Sequence, residues 1–283
     1  METLPAEIVY KIFNYLLLKD IVKFSTLSKQ LNRIAKNYSN SVNYLFNIYH
    51  ITDVEKLLEK NKLISQYWPH LLFRVEIRNS SNNHHLLEKI NFDNIKALEF
   101  QSYSEADISL FKNIPNLDLS YCKWISSLEP LRGNNINKLY LDNINFDGLD
   151  LTPIANIKYL SFCYSNIKDL SGLENSTNFT ILLRSCHFIV NLMPIRNAKS
   201  IHLEGCSGVT NISPLKKVPI IHLIEMYNVR DISPLKDANK LCIASCINIK
   251  NNLSILKGVK KLTLINCHYL KGIKELKDSA RIF

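Results

Sequence analysis

The chain has 283 residues, a formal net charge of +10 and only seven glycines. Asn, Lys, Ile and Tyr are abundant together, as A+T-rich codon usage would produce, so the lysine excess does not by itself indicate a phosphate-binding protein. The sequence contains no Gly-rich phosphate loop, no Gly-x-Ser-x-Gly elbow and no His-Glu-x-x-His motif, which disfavours the nucleotide-binding, hydrolase and metalloprotease classes.

Residues 1–35 predict three short helices. Pro5 suits the first turn of a helix, where a missing N–H group is tolerated. Ile8, Ile12 and Leu16 then recur at four-residue spacing and predict one apolar stripe. So short a segment cannot bury a core of its own. The stripe should therefore pack on a partner or on the rest of the chain.

Nine positions in this block match one known pattern: Leu4, Pro5, Glu7, Ile8, Ile12, Leu16, Asp20, Ile21 and Lys29. At these residues the block resembles the F-box, the motif by which substrate receptors bind Skp1 in cullin-RING ubiquitin ligases. It departs from the family pattern at Leu31, where a Trp is usual, although Leu still fills an apolar site. The resemblance implies that these nine residues contact Skp1. The other interpretation is a helical cap on whatever follows.

We assign residues 1–45 to this F-box, and the next segment, 46–70, is predicted to be a helical linker. A capping box at Thr52–Glu55, ahead of an apolar pair, favours that helix. An apolar strand pattern then begins at residue 71, and its Val75 stands one repeat length before Leu98. Residues 71–97 are therefore expected to form a degenerate first repeat that covers the open end of an array.

From residue 98 onward the chain repeats with a period of about twenty residues. The first Leu or Ile of each Leu-x-Leu pair falls at Leu98, Leu117, Leu139, Leu160, Ile181, Ile201, Ile221, Leu241 and Leu262. Nine units of this length are typical of leucine-rich repeats. The predicted fold is thus α/β: a three-helix F-box, then a solenoid over 71–283 with a curved parallel sheet and short helical or 3₁₀ turns on its convex side.

The convex turns have a sequence signature of their own. Ile212-Ser213-Pro214-Leu215 recurs as Ile232-Ser233-Pro234-Leu235, with looser copies elsewhere. Ser before Pro is typical of a helix N-cap followed by the first helical position. Each copy therefore predicts one short 3₁₀ or α turn, capped by its Ser or Thr.

Five of the seven cysteines fall five residues after the first Leu or Ile of a repeat: Cys122, Cys186, Cys206, Cys246 and Cys267. Thiols spaced one per repeat cannot converge on an ion, so they predict a packing slot with hydrogen bonds in the turn, and neither a metal nor a cofactor is expected. No charged, apolar leader is evident, so the chain is expected to be intracellular, in the cytoplasm or nucleus, with reduced thiols. The slot resembles the cysteine-containing leucine-rich repeats of F-box proteins.

In a Leu-x-Leu strand the leucines face the core and the intervening residues line the concave sheet. Aromatic and arginine side chains dominate protein interfaces, so we expect a central strip to bind a substrate protein. This strip consists of Tyr140, Asp142, Tyr164, Arg184, His202, Glu204, His222 and Glu225. His202 and Glu204 could mimic an acid–base pair, but an open sheet excludes water poorly, so catalysis is not expected.

The F-box resemblance implies a non-catalytic substrate-recognition subunit of a Skp1-cullin-F-box ubiquitin ligase. Residues 4–35 would dock on Skp1, and through it on a cullin and a RING protein, while the repeats hold an unknown substrate protein. Neither a membrane nor a nucleic acid is an expected partner. A stand-alone leucine-rich-repeat scaffold without a ligase role is the alternative, and a nucleic-acid binder would reveal itself by a steep salt dependence.

Overall fold

The computed structural model describes residues 46–51, 58, 73–79, 84–93, 95–102, 105–267, 270–276 and 280–283. The nine predicted Skp1 contacts, from Leu4 to Lys29, lie outside these residues, as does the capping box at Thr52–Glu55.

Twelve strands pair in chain order to form one parallel sheet. They are Phe46–Ile51 (β1), Phe73–Asn79 (β2), Ile95–Ser102 (β3), Asn116–Asp118 (β4), Lys138–Tyr140 (β5), Tyr159–Ser161 (β6), Thr180–Arg184 (β7), Ser200–Glu204 (β8), Ile220–Ile224 (β9), Lys240–Ala244 (β10), Lys261–Ile265 (β11) and Ala280–Ile282 (β12). An all-parallel sheet in which every strand neighbours the next in sequence is the topology of a solenoid.

Short 3₁₀ helices connect the strands on the convex side. In the described residues they span His84–Lys89, Ile108–Phe111, Glu129–Leu131, Thr152–Ile154, Ser171–Leu173, Met193–Ile195, Ser213–Lys217, Ser233–Leu235, Leu253–Gly258 and Ile273–Leu276. The predicted architecture of a parallel sheet with short convex turns is confirmed.

The strand register matches the sequence repeat residue for residue. Leu98 pairs with Leu117, and the same column continues through each repeat position as far as Leu262. Val75 pairs with Leu98, so the array extends into the segment before residue 98. These Leu and Ile side chains are buried in one continuous core, which stacking between repeats creates and no single repeat could supply.

The sheet also extends into the segment that the sequence predicted as a helical linker. Residues 46–51 form β1, which pairs in parallel with β2 with a register shift between Ile48 and Ile51. The alternation of Phe46 and Ile48 is typical of a strand. Without β1, strand β2 would have one edge unpaired, and β1 supplies its partner. A helical linker therefore does not begin at residue 46.

The predicted 3₁₀ turns are confirmed, but their caps are not the predicted serines. The helices at Ser213 and Ser233 begin where expected, yet the acceptors are the side chains two residues earlier. Asn211 Oδ1 accepts from the Ser213 N–H at 2.9 Å, and Asp231 Oδ1 accepts from the Ser233 N–H at 2.9 Å. Asx side chains favour this local bond, and it lowers the pKa of Asp231 below its ordinary value.

One residue with left-handed backbone follows each of the strands β4 to β11, four positions after the first Leu or Ile of the repeat. These residues are Tyr121, Asn143, Tyr164, Ser185, Gly205, Glu225, Ser245 and Asn266, with φ between +51° and +68°. The left-handed residue turns the chain out of the sheet and towards the convex side. The next residue points back into the core.

That next position is the cysteine slot. All five slot cysteines are buried, and their thiols donate to backbone carbonyl groups of the preceding repeat, as Cys122 does to Phe100 O at 3.2 Å and Cys206 to Leu183 O at 3.4 Å. Ile144, Ser165 and Met226 occupy the slot in the units that begin at Leu139, Leu160 and Ile221. The predicted packing and hydrogen-bonding role of the slot is confirmed.

Candidate protein-binding face

The concave face is formed by alternate residues of the strands. In β7, β8 and β9 the core-facing Leu and Ile residues are buried, while the residues between them are half-buried. His202 pairs with His222, and Arg184 pairs with Glu204, so these four predicted site residues are neighbours across adjacent strands. The sheet therefore brings them together on one open surface.

An ion-paired cluster lies at the centre of this strip. Arg184 Nε donates to Glu204 Oε2 at 2.8 Å, and the same oxygen lies 3.3 Å from His202 Nε2. The Glu204 and His202 side chains retain 25% and 26% of their accessible surface, and Arg184 retains 40%. This partial burial orders the three groups, and Glu204 raises the pKa of Arg184 further above its ordinary value.

His202 of this cluster also stacks against the ring of a second histidine, His222. The ring centroids of His202 and His222 lie 5.5 Å apart at an interplanar angle of 33°. Burial lowers the pKa of His222, and repulsion from His202 and Lys240 lowers it further. Near neutral pH, His222 is therefore a neutral ring that adds contact surface without adding charge.

The lowered pKa of His222 predicts a pH dependence of stability. Below the ordinary histidine pKa of about 6.5 the unfolded chain takes up a proton that the folded chain resists, so the free energy of unfolding should fall as the pH drops through that value. Urea titrations at pH 7.5 and 5.5 should show a smaller loss of unfolding free energy in His222→Gln than in the native chain.

The contribution of Lys240 can be tested separately. Lys240→Gln should raise the His222 pKa in an NMR titration, and an unchanged pKa would show that Lys240 does not lower it.

A tyrosine pair and a carboxylate network continue the face towards β5. The rings of Tyr140 and Tyr159 lie 5.4 Å apart, and burial, with the neighbouring Tyr140, raises the pKa of Tyr159 to about 12. Asp142 Oδ1 accepts from Ser161 Oγ at 2.7 Å and from the Cys163 N–H at 2.8 Å. These two hydrogen bonds of Asp142 stabilise the surface of the sheet. The rings of Tyr140 and Tyr159 add flat apolar area to that surface.

Two predicted residues lie beside the face and not on it. Tyr164 and Glu225 are left-handed corner residues, with φ of +54° and +52°. Tyr164 is 57% exposed, and its hydroxyl group contributes to raising the pKa of Arg184. The corner therefore places Tyr164 at the rim of the strip, next to Arg184, whereas Tyr140, Asp142, Arg184, His202, Glu204 and His222 lie on the sheet itself.

One column of residues on the concave face was not predicted from the sequence. The residue before each repeat Leu or Ile also faces the concave side, which adds Tyr159, Ile220 and Lys240. The signal was present, because the two-residue strand period extends one residue towards the N-terminus of each Leu-x-Leu pair. The face is consequently wider than predicted, with three columns in place of two.

The described residues show neither a metal-binding group nor a membrane-spanning helix. Within them, no group of three or more His, Cys, Asp or Glu side chains is arranged to hold a metal ion. Nor does the described part of the chain include a helix with the length and apolarity needed to span a bilayer. Arg184 and the paired tyrosines are side chains of the types that anchor protein interfaces.

Comparisons with known proteins address the two halves of the chain separately. Residues 1–42 match the F-box domain, which confirms the resemblance seen in the sequence. No curated protein sequence matches the chain.

Solved structures that resemble the chain include three proteins of Listeria monocytogenes. The functional domain of InlJ, which includes a cysteine ladder, has 16% identity and a TM-score of 0.46, covering 77% of this chain and 51% of that one. Internalin InlF has 18% identity and a TM-score of 0.45, covering 81% of each chain. Internalin C2 has 21% identity and a TM-score of 0.38, covering 60% of this chain and 79% of that one.

This chain thus spans about half of the InlJ domain. Its own strand register establishes the repeat fold. The chain accordingly joins an F-box domain, over residues 1–42, to a leucine-rich-repeat solenoid.

Proposed function

We propose that the protein is a non-catalytic substrate-recognition subunit of a Skp1-cullin-F-box ubiquitin ligase. The observation that carries the proposal is the presence in one chain of an F-box domain and an open repeat surface of the protein-binding type. F-box domains generally bind Skp1, and leucine-rich repeats generally bind proteins. A chain that has both can bring a substrate to a ligase without performing chemistry itself.

The Skp1-binding half is assigned to the nine matching positions between Leu4 and Lys29. Skp1 would link the chain to a cullin and a RING protein, in the cytoplasm or the nucleus. Tethering then replaces a bimolecular encounter by an intramolecular one at up to about millimolar effective concentration. Proximity of this kind accelerates ubiquitin transfer although the chain supplies no reacting group.

The substrate-binding half is assigned to the concave strip. Tyr140 and Tyr159 offer apolar area, the stacked histidines offer a second flat surface, and Arg184 offers a charged anchor that Glu204 holds in position. Interfaces concentrate their binding energy in a few such residues. We therefore expect an Arg184→Ala, Tyr140→Ala variant to release the substrate while still binding Skp1.

The experiment that tests the proposal is retention of purified Skp1 on the immobilised full-length chain. We expect retention, and we expect the Arg184→Ala, Tyr140→Ala variant to retain equal amounts because its F-box is intact. A folded chain that retains no Skp1 would contradict the ligase role. If such a chain still bound a protein ligand through its concave face, it would be a stand-alone scaffold.

A further inference from the structure

The charged residues of the solenoid are unevenly distributed between its two long edges. We define the strand-start edge as the last two residues of each 3₁₀ helix, the connecting segment and the first residue of the next strand. Over residues 105–267 this edge carries thirteen of the eighteen Lys and Arg residues but only two of the thirteen Asp and Glu residues, Glu174 and Asp237. Codon bias explains a high number of lysines but not their segregation to one edge.

The thirteen cationic residues are Lys112, Arg132, Lys138, Lys158, Arg196, Lys199, Lys216, Lys217, Lys236, Lys240, Lys257, Lys260 and Lys261. All except Arg196 are exposed. Helix dipoles favour cations at helix C-termini, but the 3₁₀ helices here are only three to six residues long. Lys138, Lys240 and Lys261 moreover begin strands, beyond the reach of that effect.

The density of positive charge is greatest on the last repeats. Seven lysines lie together there, and we call them the lysine cluster: Lys216, Lys217, Lys236, Lys240, Lys257, Lys260 and Lys261. Lys240 and Lys261 are direct partners in the β10–β11 ladder, an arrangement in which like charges repel. Among the described residues, Lys257 of the cluster forms an ion pair with Glu275 at 3.8 Å, whereas no ion pair involves Lys240 or Lys261. The fold thus maintains a repulsion that an anionic partner would relieve.

We propose that the lysine cluster docks an acidic segment of a partner protein. Charge complementarity across such a surface steers encounter and fixes orientation. All seven cations are lysines, which act as point charges, whereas arginine is the residue suited to bidentate recognition of phosphates and bases. A run of Asp and Glu side chains, whose carboxylates can each approach a different ammonium group, is the occupant that this surface fits.

The position of the exposed aromatic residues disfavours single-stranded nucleic acid as the occupant. Among the described residues, the most exposed aromatic side chains all follow strands and lie away from the strand-start edge: Tyr121, Tyr164, Phe188, Tyr227 and Phe283. Among the described residues, no exposed Phe, Tyr or Trp side chain therefore lies within the lysine cluster to serve as a stacking platform for single-stranded nucleic acid. The inference concerns an edge remote in sequence from the F-box domain, and it does not depend on the ligase role.

The test measures binding of the full-length chain to a peptide of ten glutamates and, separately, to a single-stranded oligothymidylate of ten nucleotides. We expect the peptide to bind at 50 mM salt and to weaken at 200 mM, because exposed charges are screened. Lys240→Glu, Lys261→Glu should weaken peptide binding at least about tenfold. Lys123→Glu, Lys250→Glu makes the same change in net charge on exposed residues of the opposite edge and should change binding less than about twofold.

Three results would overturn the proposal: no peptide binding by the native chain, equal losses in both double variants, or tighter binding of the oligonucleotide than of the peptide. The neutral variant Lys240→Gln, Lys261→Gln provides a second test in case the charge-reversed variant misfolds. It should melt at a higher temperature than the native chain because the repulsion between the paired strands is removed, and it should still bind the peptide several-fold more weakly. A lower melting temperature would contradict the repulsion on which the argument rests.

Discussion

A Leu4→Ala, Ile8→Ala, Leu16→Ala variant should bind Skp1 at least about 100-fold more weakly than the native chain. The three side chains belong to the apolar pattern that matches the F-box, and residues 1–42 match that domain as a whole. Truncating one buried interface anchor commonly costs more than about 1 kcal/mol, and each 1.4 kcal/mol is a tenfold change in affinity. The affinity of native and variant chains for purified Skp1, measured by calorimetry, checks this result.

A matched triple substitution on the solenoid serves as the control. Tyr121→Ala, Phe188→Ala, Tyr227→Ala removes three exposed aromatic side chains from the strand-end turns. It should leave Skp1 affinity unchanged, because these residues are outside the F-box domain. Both triple variants should keep the melting transition of the repeat array. Equal affinity of the native chain and the F-box variant would show that Skp1, if bound at all, binds elsewhere.

Gly208→Ala should destabilise the solenoid by about 3 kcal/mol. A Cβ atom at this position would lie 2.4 Å from His187 O and 2.5 Å from Ile189 O, and both atoms belong to the backbone of the preceding repeat. Neither carbonyl group can move without disturbing the turn to which it belongs. Since repeats are stabilised by contact with their neighbours, the displacement should weaken the whole array. Urea denaturation of the full-length chain measures the loss.

Gly205→Ala is the matched control, three residues away in the same repeat. Its Cβ would meet nothing nearer than Ser185 Oγ at 3.7 Å, so only the left-handed backbone, with φ of +61°, opposes the change. That conformation should cost about 1 kcal/mol. A Gly208→Ala variant no less stable than Gly205→Ala would show that the repeat stack relaxes around the added methyl group.

The register of the array could be predicted from sequence because one short pattern determines it. A Leu-x-Leu pair every twenty or so residues must place its leucines in a shared core, and a shift by one residue would expose all of them. Leu98, Leu117 and the positions that follow therefore pair as their spacing indicates. The cysteine slot followed for the same reason, because its distance from each pair is constant.

The start of the array and the corner residues could not be predicted in the same way. Strand β1 depends on pairing with β2, a long-range contact that the local sequence of residues 46–51 does not reveal. Tyr164 and Glu225 were assigned to the concave face, although they share the left-handed position of Gly205. Gly205 indicated a left-handed residue in its own repeat. Only the structure shows that Tyr164 and Glu225, at the equivalent position of other repeats, adopt the same backbone conformation.

At the convex turns the 3₁₀ helices were predicted correctly, but the side chains that cap them were not. Ser-Pro indicated the 3₁₀ helices at their actual positions, but the side chain that accepts the first N–H belongs to an Asx residue two positions earlier, such as Asn211 or Asp231. Both residue types favour helix starts, and the sequence alone does not distinguish which of them accepts the bond. The element was predictable, whereas its hydrogen bond required the structure.

Titration of purified Skp1 into the full-length chain tests whether residues 1–42 act as a functional F-box domain. A chain that joins a functional F-box domain to a substrate-binding solenoid should bind Skp1 at a ratio of one to one, with a Kd of about 1 μM or tighter. The complex should leave the concave strip around Arg184 and Glu204 accessible. The absence of binding at tens of micromolar, by a chain whose repeats unfold in a normal cooperative transition, would contradict the account.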